Sequence, residues 1–168
     1  MTEDIVRALG HLALGSRLKR LGERLQAQAQ ELLEEEGMNL SASHFPLLAA
    51  LDRLGPLSVG EIAAALGVRQ PGVTRLLEKL ESEGWVKSQL AADRRRRPIM
   101  LSRAGQQLVL RGKQSAWARI EAAVAQACQG LRGSFLGQVT ELEDALETAS
   151  LAERASRRTS AGKRHAGA

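Results

Sequence analysis

Aromatic residues are scarce in this sequence: they make up 2% of its 168 residues, and tyrosine is absent. A hydrophobic core must therefore be built from aliphatic side chains, which the 43% apolar content supplies. The single cysteine, Cys128, excludes an internal disulfide framework and a zinc site built from cysteines. Because the three histidines are scattered along the chain, the sequence predicts no metal site and no cofactor.

Long apolar runs are also missing. No stretch of about 18 apolar residues exists, so no membrane span is predicted. Glu3 and Asp4 stand where a signal peptide would carry positive charge, and we expect a cytoplasmic protein. A phosphate-binding loop, a Ser-His-Asp order and a paired-carboxylate motif are likewise absent, so the sequence does not predict an enzyme.

Positive charge is concentrated in two segments. The net charge is +5, but residues 69–103 alone hold nine Arg or Lys against four acids. Residues 153–168 hold five basic residues against one acid, and the rest of the chain is acidic overall. This distribution is typical of a polyanion-binding face on an acidic body.

Capping residues, glycine and proline divide the chain into helices around one short hairpin. Four serines are predicted as N-caps: Ser43, Ser58, Ser102 and Ser134. The pattern predicts helices over 4–36, 43–54, 59–66, 71–83, 103–129 and 134–152, and strands over 85–90 and 97–101.

This order indicates a mainly α fold: a winged helix-turn-helix with long N- and C-terminal dimerisation helices. The expected boundaries are 1–37 for the N-terminal dimerisation helix, 38–102 for the winged module, 103–152 for the C-terminal dimerisation helices and 153–168 for a basic, disordered tail.

Apolar stripes along the flanking helices predict a homodimer, because a small central module cannot cover them all. The stripes consist of Leu14, Leu18, Leu21, Leu25 and Leu32, then Trp117, Ile120, Val124, Ala127 and Leu131, then Phe135, Val139, Leu142, Leu146 and Ala149.

The segment from Glu61 to Arg75 meets several requirements of a helix-turn-helix at once. Ser58 and Glu61 form a capping-box pattern, Ala63 allows two helices to approach closely, and Gly67 supplies the positive φ of the turn. Six apolar residues are spaced to hold the two helices together: Ile62, Leu66, Val68, Val73, Leu76 and Leu77. A capped helical hairpin formed by chance is the alternative without function.

The helix 71–83 is predicted to enter the major groove. Its outward residues form the candidate DNA-binding set: Gln70, Pro71, Gly72, Thr74, Arg75 and Lys79. Arg75 can pair bidentately with guanine. Its alternatives are a phosphate contact or an ion pair with Glu78.

Four consecutive arginines complete the candidate set: Arg94, Arg95, Arg96 and Arg97. They lie at the tip of the wing 85–101, where their mutual repulsion costs stability unless a polyanion relieves it. Because a narrow minor groove attracts arginine, we expect at least one of them to contact DNA there.

Taken together, the segment from Leu40 to Gly105 resembles the MarR family, the multiple antibiotic resistance regulators. The matching residues are Leu40-Ser with Phe45, Glu61-Ile-Ala with Leu66-Gly, Val73-Thr-Arg through Gly84-Trp-Val, Asp93-Arg-Arg, and Leu101-Ser with Gly105. The resemblance implies an obligate homodimer that binds double-stranded DNA, and in many members a small anionic or phenolic effector that relieves repression.

Three positions differ from the family pattern. Pro98 lies in the second wing strand, Gln70 replaces the commoner serine-type cap, and the turn after Ser102 has no acidic residue. His11 and His44 are candidate effector contacts, with a surface or capping role as the alternative for each, and Cys128 is interpreted as a buried inert thiol. The alternative function is a winged-helix adaptor that binds proteins and not DNA.

Overall fold

Helices dominate the structure, a computed structural model that describes residues 2–88 and 98–156. The helices and strands are α1 (Ile5–Ala8), α2 (Leu14–Glu35), α3 (Phe45–Leu54), α4 (Val59–Leu66), α5 (Gln70–Ser82), β1 (Val86–Ser88), β2 (Ile99–Leu101), α6 (Arg103–Gln114), α7 (Ala116–Cys128) and α8 (Phe135–Thr148). Short 3-10 turns occupy Gly10–Ala13 and Ala42–His44. The predicted mainly α fold with a small two-stranded wing is confirmed.

The chain divides into two compact units, Met1–Ala123 and Val124–Ala168, with the boundary inside α7. The first unit holds a continuous aliphatic core. Its fully buried large side chains come from α2, α3, α4, α5 and α6: Leu33, Leu47, Leu48, Ile62, Val73, Leu80 and Val109. Trp85, Trp117 and Ile120 are partly buried against this core. Aliphatic side chains therefore fill the interior, as the composition predicts.

The predicted continuous helix over 4–36 is wrong, because the chain breaks between α1 and α2. Gly10 has a φ of +55° there, a conformation that suits glycine and that no helix interior contains. Asp4 caps α1 and forms a bidentate ion pair with Arg20 of α2, with Nη2 and Oδ2 2.9 Å apart. The leucine at 33 reaches the core, whereas Leu18, Leu21 and Leu25 of the predicted stripe are exposed in the single chain.

The predicted continuous helix over 103–129 is also wrong, since Ser115 separates α6 from α7 with φ −133° and ψ −95°. Trp117 follows this break and folds back over Gly112, where any Cβ would collide with the indole ring. The indole also meets the Phe45 ring edge to face, with centroids 4.4 Å apart. A tertiary contact that local periodicity does not encode therefore interrupts the helix.

Two other helix ends differ from the expected ones. Ser43 does not cap α3: a 3-10 turn ends at His44, and the Ser43 hydroxyl instead lies 2.9 Å from the Ser41 hydroxyl. The last helix ends at Thr148 and not at 152, because Ala149 adopts an extended conformation. The caps at Ser58, Ser102 and Ser134 are confirmed.

The second unit contains the end of α7 and the amphipathic helix α8. No residue of α8 is buried, and Leu136, Leu142 and Leu146 are exposed. Residues 151–156 are helical, and the Arg154 guanidinium donates to the carbonyls of Ala145 and Ala149. The predicted tail therefore begins in a helix, and its residues 157–168 lie outside the described part of the chain.

Candidate nucleic-acid interface

The helix-turn-helix is formed by α4, α5 and the turn between them. The Ser58 hydroxyl accepts from the Glu61 amide at 3.3 Å, and the Glu61 carboxylate accepts from the Ser58 amide at 2.7 Å. This capping box fixes the start of α4, and Gly67 ends the helix in the left-handed conformation at φ +63°. Ile62 and Ala63 are buried as expected.

One residue of the predicted helix-turn-helix core is misplaced. Val68 is 51% exposed, so it does not hold the two helices together. The left-handed Gly67 turns the chain, and the Val68 amide donates to the Ala63 carbonyl at 3.0 Å. The backbone of Val68 therefore closes the turn, while Val73, Leu77 and Leu80 of α5 supply the buried contacts.

Helix α5 has one buried face and one exposed face. Every residue of the predicted DNA-binding set on this helix is exposed: Gln70, Pro71, Gly72, Thr74, Arg75 and Lys79. The helix begins at Gln70, one residue before the predicted start, so Pro71 occupies the second helical position. The missing proline amide is not needed in this first turn. Gly72 has open space around it, so the backbone there can approach a ligand closely.

The polar groups on the exposed face differ in how far they are already engaged. The Thr74 hydroxyl donates to the Gln70 carbonyl at 3.2 Å, and Lys79 lies 3.9 Å from Glu83. Across residues 2–88 and 98–156, no hydrogen bond or ion pair engages the Arg75 guanidinium, which removes the predicted alternative of a pair with Glu78. Within those residues, all of the Arg75 donors stay available to an external acceptor.

The C-terminal end of α5 is joined to α6 by a compact set of hydrogen bonds. The Ser102 hydroxyl donates to the Gly84 carbonyl at 2.6 Å and accepts from the Gly105 amide at 2.9 Å. The Ser102 amide donates to the Trp85 carbonyl at 3.0 Å, and a Cβ at Gly105 would collide with that same carbonyl. The start of α6 is thus fixed against the end of the recognition helix.

The base of the wing is the antiparallel pair β1 and β2, with Val86 opposite Leu101 and Ser88 opposite Ile99. Ile99 also exchanges two backbone hydrogen bonds with Leu57, at 2.7 and 3.0 Å. Pro98 precedes β2 and does not interrupt its described ladder. The four arginines at 94–97 lie outside the described residues, so their contact with DNA stays a prediction.

The two candidate effector histidines lie in different surroundings. His11 is exposed on the first 3-10 turn, and His44 is only 7% exposed at the end of the second. No described residue bonds the His44 Nδ1. Burial lowers the pKa of His44, against a smaller raising effect of Glu83, and Lys79 lowers it further. Cys128 is half-buried, less than its interpretation as a core thiol implied.

A cleft of about 570 Å³ opens between α3 and the α6–α7 break. It is lined by Phe45, Ala49, Asp52, Arg53, Lys113, Trp117, Ala118 and Glu121, and neither candidate histidine is among them. An ion pair of 2.5 Å joins Lys113 to Asp52. This volume lies within the range of small-molecule sites. Sequence reasoning missed the cleft, although two of the four aromatic residues lie in it.

The comparisons with known proteins agree with this geometry. Residues 37–97 match the model of the MarR family, the segment that holds α3, α4, α5 and β1. The similarity to the MarR family therefore covers the helix-turn-helix and the first wing strand. The regulator YwoH of Bacillus subtilis, an uncharacterised HTH-type protein, is 36% identical to this chain over 76 residues, which are 45% of this chain and 54% of YwoH. The chain thus spans about half of the length of this curated relative.

Two solved structures are similar to this chain over most of its length. The transcriptional regulator MosR of M. tuberculosis, solved in complex with DNA, is 25% identical with a TM-score of 0.68, covering 81% of this chain and 97% of MosR. BpsR of Bordetella bronchiseptica, whose DNA binding is regulated by 6-hydroxynicotinic acid, shares the fold at 23% identity and a TM-score of 0.62, covering 81% and 94%. Such proteins are regulators and not enzymes, in agreement with the sequence prediction.

Metal clusters and membrane spans are both absent from the described residues. In that part of the chain, no group of three or more His, Cys, Asp or Glu is arranged to hold a metal ion. No helix formed by those residues has the length and apolar character of a membrane span. The cytoplasmic location stays a prediction.

Proposed function

We propose that the protein is a homodimeric transcriptional regulator, a repressor, that binds double-stranded DNA through α5 and the wing. The observation that carries the proposal is the division of α5: its apolar face is buried, and its predicted DNA-binding face is exposed, with Arg75 unpaired within the described residues. A major groove about 12 Å wide accepts such a helix. MosR, the relative solved with DNA, supports this reading.

Exposed leucines outside the winged module support the homodimer. Leu12 of the first unit and Leu136 of the second are 85% and 74% exposed in the single chain. Seven further leucines are exposed to a lesser degree, between 37% and 50%: Leu9, Leu18, Leu21, Leu25, Leu131, Leu142 and Leu146. A second copy of the chain would remove this apolar surface from water, and two-fold symmetry would present two recognition helices to DNA.

The cleft between α3 and the α6–α7 break is proposed as the site of a small anionic or phenolic effector. Phe45 and Trp117 offer aromatic surface and Arg53 offers positive charge, whereas Lys113 is already paired with Asp52. The structural relative BpsR is regulated by 6-hydroxynicotinic acid, which is a compound of this class. His44 precedes Phe45 in the chain, and contacts of His11 and His44 with an effector stay predictions.

The adaptor hypothesis is disfavoured by the chemistry of the exposed face of α5. A protein-binding surface is rich in aromatic and apolar anchors at its centre. Apart from Pro71 and Gly72 in the first turn, the exposed residues of α5 are polar or charged. Thr74, Arg75 and Lys79 are among them. An external polyanion suits these residues better than an apolar partner.

Selection of random double-stranded DNA by the full-length protein tests the proposal. We expect a pseudo-palindromic site, with half-sites about 10–11 base pairs apart and two chains bound per site. Sedimentation of the complex measures the stoichiometry. Failure to enrich any sequence would favour the adaptor, and an asymmetric site bound by one chain would contradict the dimer.

The same selected DNA tests the effector proposal. Small aromatic carboxylates and phenols, including 6-hydroxynicotinic acid, are titrated into the complex, and we expect at least one to release the DNA. An Ala49→Phe variant, which fills the cleft, should still bind DNA and should no longer respond. A response unchanged in this variant would place the effector elsewhere.

A further inference from the structure

Two exposed arginines stand at helix positions that do not suit a cation. Arg69 is the N-cap of α5, and Arg103 is the first residue of α6. The N-terminus of a helix carries partial positive charge and favours acidic or capping side chains. Neither helix has an acidic residue in its first turn, and the Arg69 side chain makes no capping hydrogen bond. Arginine at either position therefore makes the folded protein less stable than a neutral capping or polar residue would.

Within the described residues, neither arginine side chain is paired with an acidic group. Both are exposed, and across the described ranges 2–88 and 98–156 neither has a hydrogen bond or an ion pair from its side chain. In contrast, the first turn of α4 carries Glu61 in a complete capping box. An anion outside the protein would satisfy both guanidinium groups and would also meet the positive ends of two helices.

The two arginines bracket the recognition helix. Arg69 directly precedes α5 at its N-terminal end. Arg103 follows Ser102, whose hydroxyl is 2.6 Å from the Gly84 carbonyl just beyond the C-terminal end of α5. Helix α5 has 13 residues and is therefore about 20 Å long, and the major groove is about 12 Å wide. A helix of this length seated in the groove brings both of its ends close to the phosphate backbones.

We propose that Arg69 and Arg103 each bind a DNA phosphate, one at either end of the recognition helix, and so hold α5 in the major groove. This phosphate clamp rests on the proposed DNA-binding function. It adds two residues to the predicted interface, and Arg103 accounts for one departure from the family pattern, the missing acid after Ser102. The clamp adds affinity for every DNA sequence, and base selection stays with the exposed face of α5.

The test compares DNA affinity with protein stability in the same variants. Arg69→Ser restores a capping residue, and Arg103→Gln removes a cation from a helix N-terminus. We expect both variants to unfold at the same or a higher temperature than the wild type, yet to bind selected and scrambled DNA more weakly. The slope of log K against log salt should flatten by about 0.9 for each lost contact, or about 1.8 for a dimer.

Matched controls separate the clamp from general surface charge. Arg111 is exposed on the last turn of α6, where a cation suits the helix, and Arg111→Gln should leave the affinity and the salt slope unchanged. The variants Arg69→Lys and Arg103→Lys keep the charge and should retain most of the slope. Lower thermal stability of Arg69→Ser or Arg103→Gln would assign that residue a structural role and overturn its place in the clamp.

The salt titration decides the remaining outcomes. If the wild type binds selected DNA and neither Arg69→Ser nor Arg103→Gln changes the slope, the clamp is wrong and the proposed function stands. A change in one variant only would overturn the assignment of the other arginine. If the wild type enriches and binds no DNA, the proposed function fails and the clamp fails with it.

Discussion

The first and second units bury apolar side chains in different ways. The first unit packs aliphatic side chains from five helices into one core, and Leu47, Leu48 and Ile62 are completely buried. Helix α8 of the second unit has no buried residue, and Leu142 remains 37% exposed. The first unit therefore obtains its stability within one chain, whereas α8 leaves exposed apolar surface that the proposed homodimer would cover.

Ion pairs also join the flanking helix α2 to α7. Its C-terminal end carries Glu35 and Glu36, which a helix dipole disfavours there. Arg119 of α7 reaches both carboxylates, at 2.8 and 2.5 Å. Charged contacts on the surface are worth little individually. They orient α2 and α7 while the aliphatic core supplies most of the stability.

Replacing one leucine in each unit should give the largest difference in stability between the two units. Leu47→Ala in the core should lower the free energy of unfolding by about 2–5 kcal/mol, through lost burial and a cavity. Leu142→Ala should leave the unfolding of the module nearly unchanged and should raise the dissociation constant of the dimer. Both tryptophans lie in the first unit, so their fluorescence reports its unfolding, and sedimentation reports the dimer.

The outcome that contradicts this comparison is a similar loss in both variants. If Leu142→Ala destabilised the module as much as Leu47→Ala at the same protein concentration, the two units would unfold together. The core would then not be sufficient within one chain.

A smaller effect is expected in the pH dependence of stability, which should involve the buried His44. Burial lowers the pKa of His44, so the folded protein keeps this ring neutral at a pH where the unfolded chain binds a proton. The stabilising effect is complete above the unfolded pKa of about 6.5 and is lost as the pH falls towards the lowered folded pKa. We expect the midpoint of thermal unfolding to fall less between pH 7 and pH 5 in His44→Gln than in the wild type.

The exposed His11 supplies the control for this titration. His11→Gln removes an exposed imidazole and is the matched control for the substitution itself. Equal pH dependence in the wild type and His44→Gln would show that the burial of His44 does not affect stability.

Local chemistry explains which parts of the fold the sequence predicts. The capping box at Ser58, the turn at Gly67 and the two faces of α5 follow from residues within about one helix of each other, and all agree with the structure. The apolar character of Val68 predicts an inward side chain, but the geometry of the turn exposes it.

Features set by distant residues were not predicted. The break at Ser115 depends on Trp117 seated against Gly112 and Phe45, and Phe45 is far away in the sequence. The ion pair that joins Asp52 to Lys113 beside the cleft spans 61 positions. A periodic sequence pattern does not predict a contact between such distant residues. The cleft therefore follows from the folded structure and not from the sequence pattern.

Base reading by α5 is tested by the binding of an Arg75→Ala variant to selected and scrambled DNA. We expect a loss of about 1–3 kcal/mol per guanine contact on selected DNA, little change on scrambled DNA, and relaxed preference at one position of each half-site. Replacing Arg94, Arg95, Arg96 and Arg97 with alanine should instead weaken both complexes and flatten the salt dependence. Arg111→Ala is the matched control. Equal loss on both DNAs in Arg75→Ala, or no loss at all, would contradict base reading by this helix.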